Sequence, residues 1–115
     1  MPKYRDIIVS PAAEWSLKDI ESFKSGTIGP ANAGEFVDNL LLSSLSSLSA
    51  IAEDPTRYRF NAMLSGYGIQ LRERLDTDSE YRVIYDCNDQ TIEILIFVSM
   101  KQDLESALYR YLVVQ

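Results

Sequence analysis

Arg72 and Arg74 stand two residues apart in a segment where polar and apolar side chains alternate, and Arg82 lies in the next such segment. A spacing of two puts Arg72 and Arg74 on one face of a strand, opposite Ile69 and Leu71. With Arg82 on the neighbouring strand, three guanidiniums on one face would grip phosphates or an acidic partner. The alternative is ordinary surface pairing with Glu73, Asp76, Glu80 or Asp86. Lys101, Gln102, Asp103 and Glu105 follow an apolar run and open a helical pattern. Free N–H groups there attract an anion, Lys101 adds charge, and Asp103 or Glu105 could move a proton or hold a metal; helix capping accounts for the same residues. Tyr109, Arg110 and Tyr111 offer a phenol, a cation and a stacking surface, or pack the last helix on its sheet. Arg57-Tyr58-Arg59 interleaves base and aromatic, a pattern suited to nucleic acid or to a loop with snorkelling arginines.

Other chemistry is excluded by composition. The chain of 115 residues has no His, which removes His-based triads and most zinc and copper sites. No cofactor and no metal site is expected. One cysteine, Cys87, cannot form an internal disulfide and has no His to activate it, which points to a reducing compartment. Asp76-Thr77-Asp78-Ser79-Glu80 lacks the glycine and closing acid of a calcium loop and reads as a polar turn. The net charge of −6 disfavours a wholly basic nucleic-acid binder. It is uneven: residues 1–56 hold 8 acids and 4 bases, and residues 57–115 hold 9 and 7, so a local basic face remains open. No apolar stretch approaches the ~20 residues of a spanning helix, and the charged start is not a leader. A cytoplasmic protein of one domain, residues 1–115, is expected.

The elements that must position these residues follow from periodicity. Tyr4 to Val9 reads as a strand. Ser10-Pro11 is a helix start, Ser at the cap and Pro in the first turn. Ala13, Leu17, Ile20 and Lys24 share one face of that helix, and Trp15 lies off it. Gly26 and Gly29-Pro30 end it, with Thr27 to Gly34 as a connection. Glu35 to Ala52 reads as a second helix, its serines at 43, 44, 46, 47 and 49 forming the small polar side, stopped at Pro55. The period then changes to two. Ile69 to Leu75 and Tyr81 to Cys87 alternate, Asn88-Asp89 is a hairpin turn, and Thr91 to Val98 is apolar enough for a central strand. Ser99 and Gln102 have capping-box spacing ahead of a helix from Lys101 to about Tyr111. The expected fold class is α+β, order βααβββα: an antiparallel β-sheet with an N-terminal helical hairpin on one face and a short C-terminal helix.

Three stretches carry a family likeness in this order. They are Ala12-Ala13-Glu14-Trp15 on the first helix; Gly66-Tyr67-Gly68-Ile69-Gln70-Leu71-Arg72 followed by Glu80-Tyr81-Arg82-Val83-Ile84-Tyr85; and Ile92 to Val98 running into Met100-Lys101-Gln102-Asp103. Together they resemble the RelE/ParE superfamily of bacterial toxins across nearly the whole chain. The resemblance implies a toxin of a type II toxin–antitoxin pair, blocked by a cognate antitoxin. Some members cut messenger RNA on the ribosome and others poison DNA gyrase.

The residues of the RNA-cutting branch carry over in part. Its strand lysines are Gly68 and Gln70 here, and the basic residue expected after Lys101 is Gln102. Arg82 is kept, and Tyr109 takes the place of the late tyrosine. The departures favour DNA nicking or gyrase over ribosome-dependent mRNA cleavage. In a nuclease, Arg82 and Lys101 would stabilise the transition state and Asp103 or Tyr109 would move the proton. Arg72, Arg74, Arg57, Arg59, Gln102 and Arg110 would contact nucleic acid or target. A non-catalytic binding module and an unrelated α+β domain are the alternatives. A homodimer or a toxin–antitoxin hetero-oligomer is the expected assembly, without a membrane.

Overall fold

The computed structural model describes residues 6–50 and 58–109. Strand β1 (Asp6–Val9) ends at Ser10, whose hydroxyl accepts from the Ala13 N–H at 3.1 Å and caps helix α1 (Pro11–Ile28), with Pro11 in the first turn. Helix α1 runs through Gly26, and helix α2 (Pro30–Ala50) begins at once. The connection expected over Thr27 to Gly34 shrinks to Gly29, which takes a left-handed φ of 88°. Pro30 cannot continue α1 but suits the first turn of a new helix, so one glycine makes the corner. The expected start of β1 at Tyr4, the end of α2 at Ala52 and the stop at Pro55 lie outside the described residues.

A short helix α3 (Ala62–Gly66), which periodicity did not announce, precedes β2 (Arg72–Asp76). Strands β3 (Tyr81–Cys87) and β4 (Thr91–Ser99) follow, then helix α4 (Leu104–Leu108). The sheet order is β1-β4-β3-β2. The last three strands form the expected antiparallel meander, with Asn88 Oδ1 accepting from Gln90 and Thr91 N–H in its second turn. The sheet departs from a wholly antiparallel one at β1, which runs parallel to β4 from Asp6↔Thr91 to Val9↔Ile94. Parallel neighbours need a long crossover, which the helical hairpin and two strands supply, and alternation in a four-residue strand carries no direction. Strand β4 is central, as expected.

The hairpin covers one face of the sheet. Leu17 and Ile20 of α1 and Val37, Leu40 and Leu48 of α2 pack on Val83, Tyr85, Ile94 and Phe97. Ser44 belongs to this buried side rather than to the polar one, its hydroxyl satisfied by the Leu40 carbonyl at 2.8 Å. A smaller core on the other face joins Ile84, Ile96 and Val98 to Leu64, Leu104 and Ala107. Helix α4 starts later than Ser99-Gln102 predicts: Asp103 is the cap, and Gln102 instead closes a turn onto the Ser99 carbonyl. The burial of Leu104 and Ala107 fixes that phase.

A bulge between Ile84 and Tyr85 leaves Leu95 without a partner in β3. Helix α1 satisfies the backbone there. Ser10 Oγ donates to the Leu95 carbonyl at 3.2 Å, and Ser16 Oγ accepts from the Phe97 N–H at 3.0 Å while donating to the Ala13 carbonyl. Ala12 and Ala13 let the helix approach this closely. Ser16→Ala strands a buried N–H and is expected to cost about 1–3 kcal/mol in denaturant unfolding.

Candidate functional site

The register divides the three arginines. Leu75 pairs with Arg82, while Arg72 and Arg74 pair with Tyr85 and Val83, so Arg82 faces away from the other two. The expected single face of three guanidiniums is not formed. Arg72 and Arg74 lie under the hairpin side. Arg72 stacks 4.0 Å from the Phe60 ring centroid and donates to the Tyr58 carbonyl at 2.7 Å. Arg74 donates to Ser43 Oγ on α2 at 3.2 Å and pairs with Asp76 at 3.6 Å.

Arg82 closes a polar cluster on the opposite face. Its guanidinium lies 3.6 Å from Glu73 Oε2 and donates to the Met100 carbonyl at 3.3 Å. Asn61 Nδ2 donates to the same Glu73 oxygen at 2.6 Å, and Asn61 Oδ1 accepts from Leu64 N–H to cap α3. Asn61 and Glu73 are buried. The cluster therefore ties β2, β3, the end of β4 and α3 together, with Arg82 neutralised by Glu73. Glu73 was detectable: it is an acid between Leu71 and Leu75 on the strand's apolar phase.

The remaining predicted residues sit at the surface. Lys101 and Gln102 are exposed just beyond β4, and Lys101 pairs at 3.6 Å with Glu80. Asp103 spends both carboxylate oxygens on α4, accepting from Glu105 N–H and Ser106 Oγ. Tyr109 ends α4 with 62% of its surface exposed. Arg59 is exposed, whereas Tyr58 of the same run turns its ring edge-on to Tyr85. Arg57 and Arg110 lie outside the described residues, as does Tyr111. Among the described residues no three acids or thiols converge on a metal position.

Sequence reasoning missed a cleft of about 550 Å³ between the C-terminal half of α1, the start of β3 and the segment after β4. Phe23, Lys24, Glu80, Tyr81 and Lys101 line it. Glu80 has a left-handed φ of 61°, rare for a residue with a Cβ. Burial removes water from the Tyr81 phenol and pushes its pKa above the usual 10.0, so it is a protonated hydrogen-bond donor at neutral pH. The folded state holds that proton more tightly than the unfolded chain. The contribution of Tyr81 is thus intact below pH 10.0 and is lost as pH rises through its folded value; alkaline melts of wild type and Tyr81→Phe should diverge there.

No protein-family model matches the chain, and no curated protein matches it in sequence. Its fold matches a chain of a solved structure described as the chromosomal ParDE TA system from P. aeruginosa. That match has a TM-score of 0.68 at 16% identity and covers 84% of this chain and 96% of that one. The protein has a ParE-like α+β fold.

Proposed function

We propose that this chain is the toxin of a type II toxin–antitoxin pair, and that it arrests growth by engaging DNA gyrase as a protein target. The ParE-like fold supports the toxin role. One observation carries the choice of binding over cleavage: Arg82, which would stabilise a charged phosphorane, is held in the fold by Glu73 and Met100, and Arg72 and Arg74, which would contact nucleic acid, are held by Tyr58, Ser43 and Asp76. Phosphodiester cleavage needs preorganised cations and a free proton acceptor at the same place. Asp103 is engaged as a helix cap, which leaves it a structural part. The exposed Lys101, Gln102 and Tyr109 then serve as contacts to the target, and Arg82 positions the end of β4 from which Lys101 projects. A cognate antitoxin with basic and apolar segments suits a chain of net charge −6.

A supercoiling reaction with purified gyrase tests this. Inhibition should require toxin at least stoichiometric with gyrase, with naked DNA and RNA left intact. Cutting of either nucleic acid at sub-stoichiometric protein would refute the binding reading. Lys101→Ala with Tyr109→Ala removes two exposed contacts, and is expected to weaken inhibition about tenfold or more with an unchanged melting temperature.

A further inference from the structure

The geometry points to the cleft beside α1 as a binding site for a nucleoside phosphate, with Phe23 under the base and Lys24 and Lys101 on the phosphate. This site adjoins the proposed target contacts, sharing Lys101 with them, and goes beyond them in the α1 wall of Phe23 and Lys24. The volume of about 550 Å³ suits a mononucleotide, since small-molecule sites span roughly 300–1,000 Å³. Phe23 is the first reason. It lines the cleft yet leaves 72% of its surface exposed, a large apolar ring on a helix that buries its other apolar side chains more fully. An exposed ring at a cleft wall is a stacking platform for a base.

Lys24 is the second reason. Its ammonium is held 4.8 Å from the Phe36 ring centroid, and Phe36 meets Tyr81 edge-on at 5.7 Å. The cation is thus set on the wall by an aromatic pair rather than neutralised there by an acid. Lys101 approaches from the segment after β4, which is pinned by Met100 N–H on the Glu80 carbonyl and by Lys101 N–H on Ser99 Oγ. Its ion pair with Glu80 is long and open to water, 81% and 64% exposed, and yields readily to a phosphate. The Tyr81 hydroxyl, also in the lining, is a donor. Two cations, one aromatic platform and a hydroxyl donor match the phosphate and the base of a nucleotide.

Calorimetric titration of the purified full chain with AMP and GMP tests the assignment. Saturable binding with Kd below about 1 mM is expected. Phe23→Ala and Lys24→Gln should each weaken it about tenfold or more while melting as wild type does. Adenosine and inorganic phosphate should each bind at least about tenfold more weakly than AMP. The proposal is overturned by the absence of saturable binding up to about 5 mM. Binding unaffected by both variants overturns it too, as does phosphate alone binding as tightly as AMP. A 5′-phosphorylated trinucleotide binding more than about tenfold tighter than AMP would assign the cleft to a strand and overturn the mononucleotide reading. Gyrase inhibition is read in a separate reaction, so failure here and failure of the toxin reading are distinguishable.

Discussion

Glu73→Ala is expected to destabilise the protein by about 2–3 kcal/mol, lowering its melting temperature by roughly 10 °C. Glu73 is buried on the face of the sheet away from the helical hairpin and accepts from Asn61 while neutralising Arg82. Truncation leaves a half-buried guanidinium without its counter-charge and an amide without its acceptor, and both losses are larger than the worth of the intact contacts. The Arg82–Glu73 separation of 3.6 Å and the 21% exposure of Arg82 place the effect at the lower end of buried pairs. Glu73→Gln combined with Arg82→Gln removes both charges and keeps an acceptor for Asn61 and a donor for Met100. Its stability should return to within about 1 kcal/mol of wild type. The same pair separates two roles for Arg82. If Arg82 positions the end of β4, the neutral pair still arrests growth; if it stabilises a reacting phosphate, arrest is lost although the fold is restored.

Tyr85→Ala should cost about 3–5 kcal/mol, the largest single-site loss expected in the chain. Tyr85 is fully buried, next to the β3 bulge, among residues of both hairpin helices and of β4. Its ring meets Tyr58 edge-on at 6.4 Å, which anchors the segment leading into α3. Deleting the ring opens a cavity that a sheet pinned on both sides cannot close. Urea unfolding checks this, with Tyr85→Phe as the comparison that keeps the ring and its edge contact. Loss of less than about 1 kcal/mol in Tyr85→Ala would show that the Tyr58–Tyr85 contact does not organise the core.

Apart from the five-residue α3, the order of helices and strands is legible because helical and strand periods are distinct and the turn at Asn88-Asp89 is marked by its own chemistry. The pairing of Arg72 with Arg74 on one face was equally legible, since a spacing of two permits nothing else in a strand. Which face the hairpin would cover was not, because alternation defines two faces without saying what packs on either. The placement of Arg82 depended on the pairing of Leu75 with Arg82, and a one-residue change in that register would reverse it. The late start of α4 was hidden for a related reason: Ser99 and Asp103 both have capping chemistry, and burial of Leu104 and Ala107 decides between them. The cleft was invisible in sequence. Phe23 and Lys24 lie far along the chain from Glu80 and Lys101, and only the fold brings them to one wall.

Induced expression in bacteria, with plasmid DNA and total RNA recovered as growth slows, separates a gyrase-directed toxin from a nuclease and from an inert domain. A gyrase-directed toxin predicts growth arrest and relaxed or linearised plasmid, both reversed by co-expression of a cognate antitoxin, with messenger RNA intact throughout. Messenger RNA cut at codon spacing would contradict it and return catalysis to the end of β4, and unimpeded growth with both nucleic acids intact would contradict the toxin reading itself.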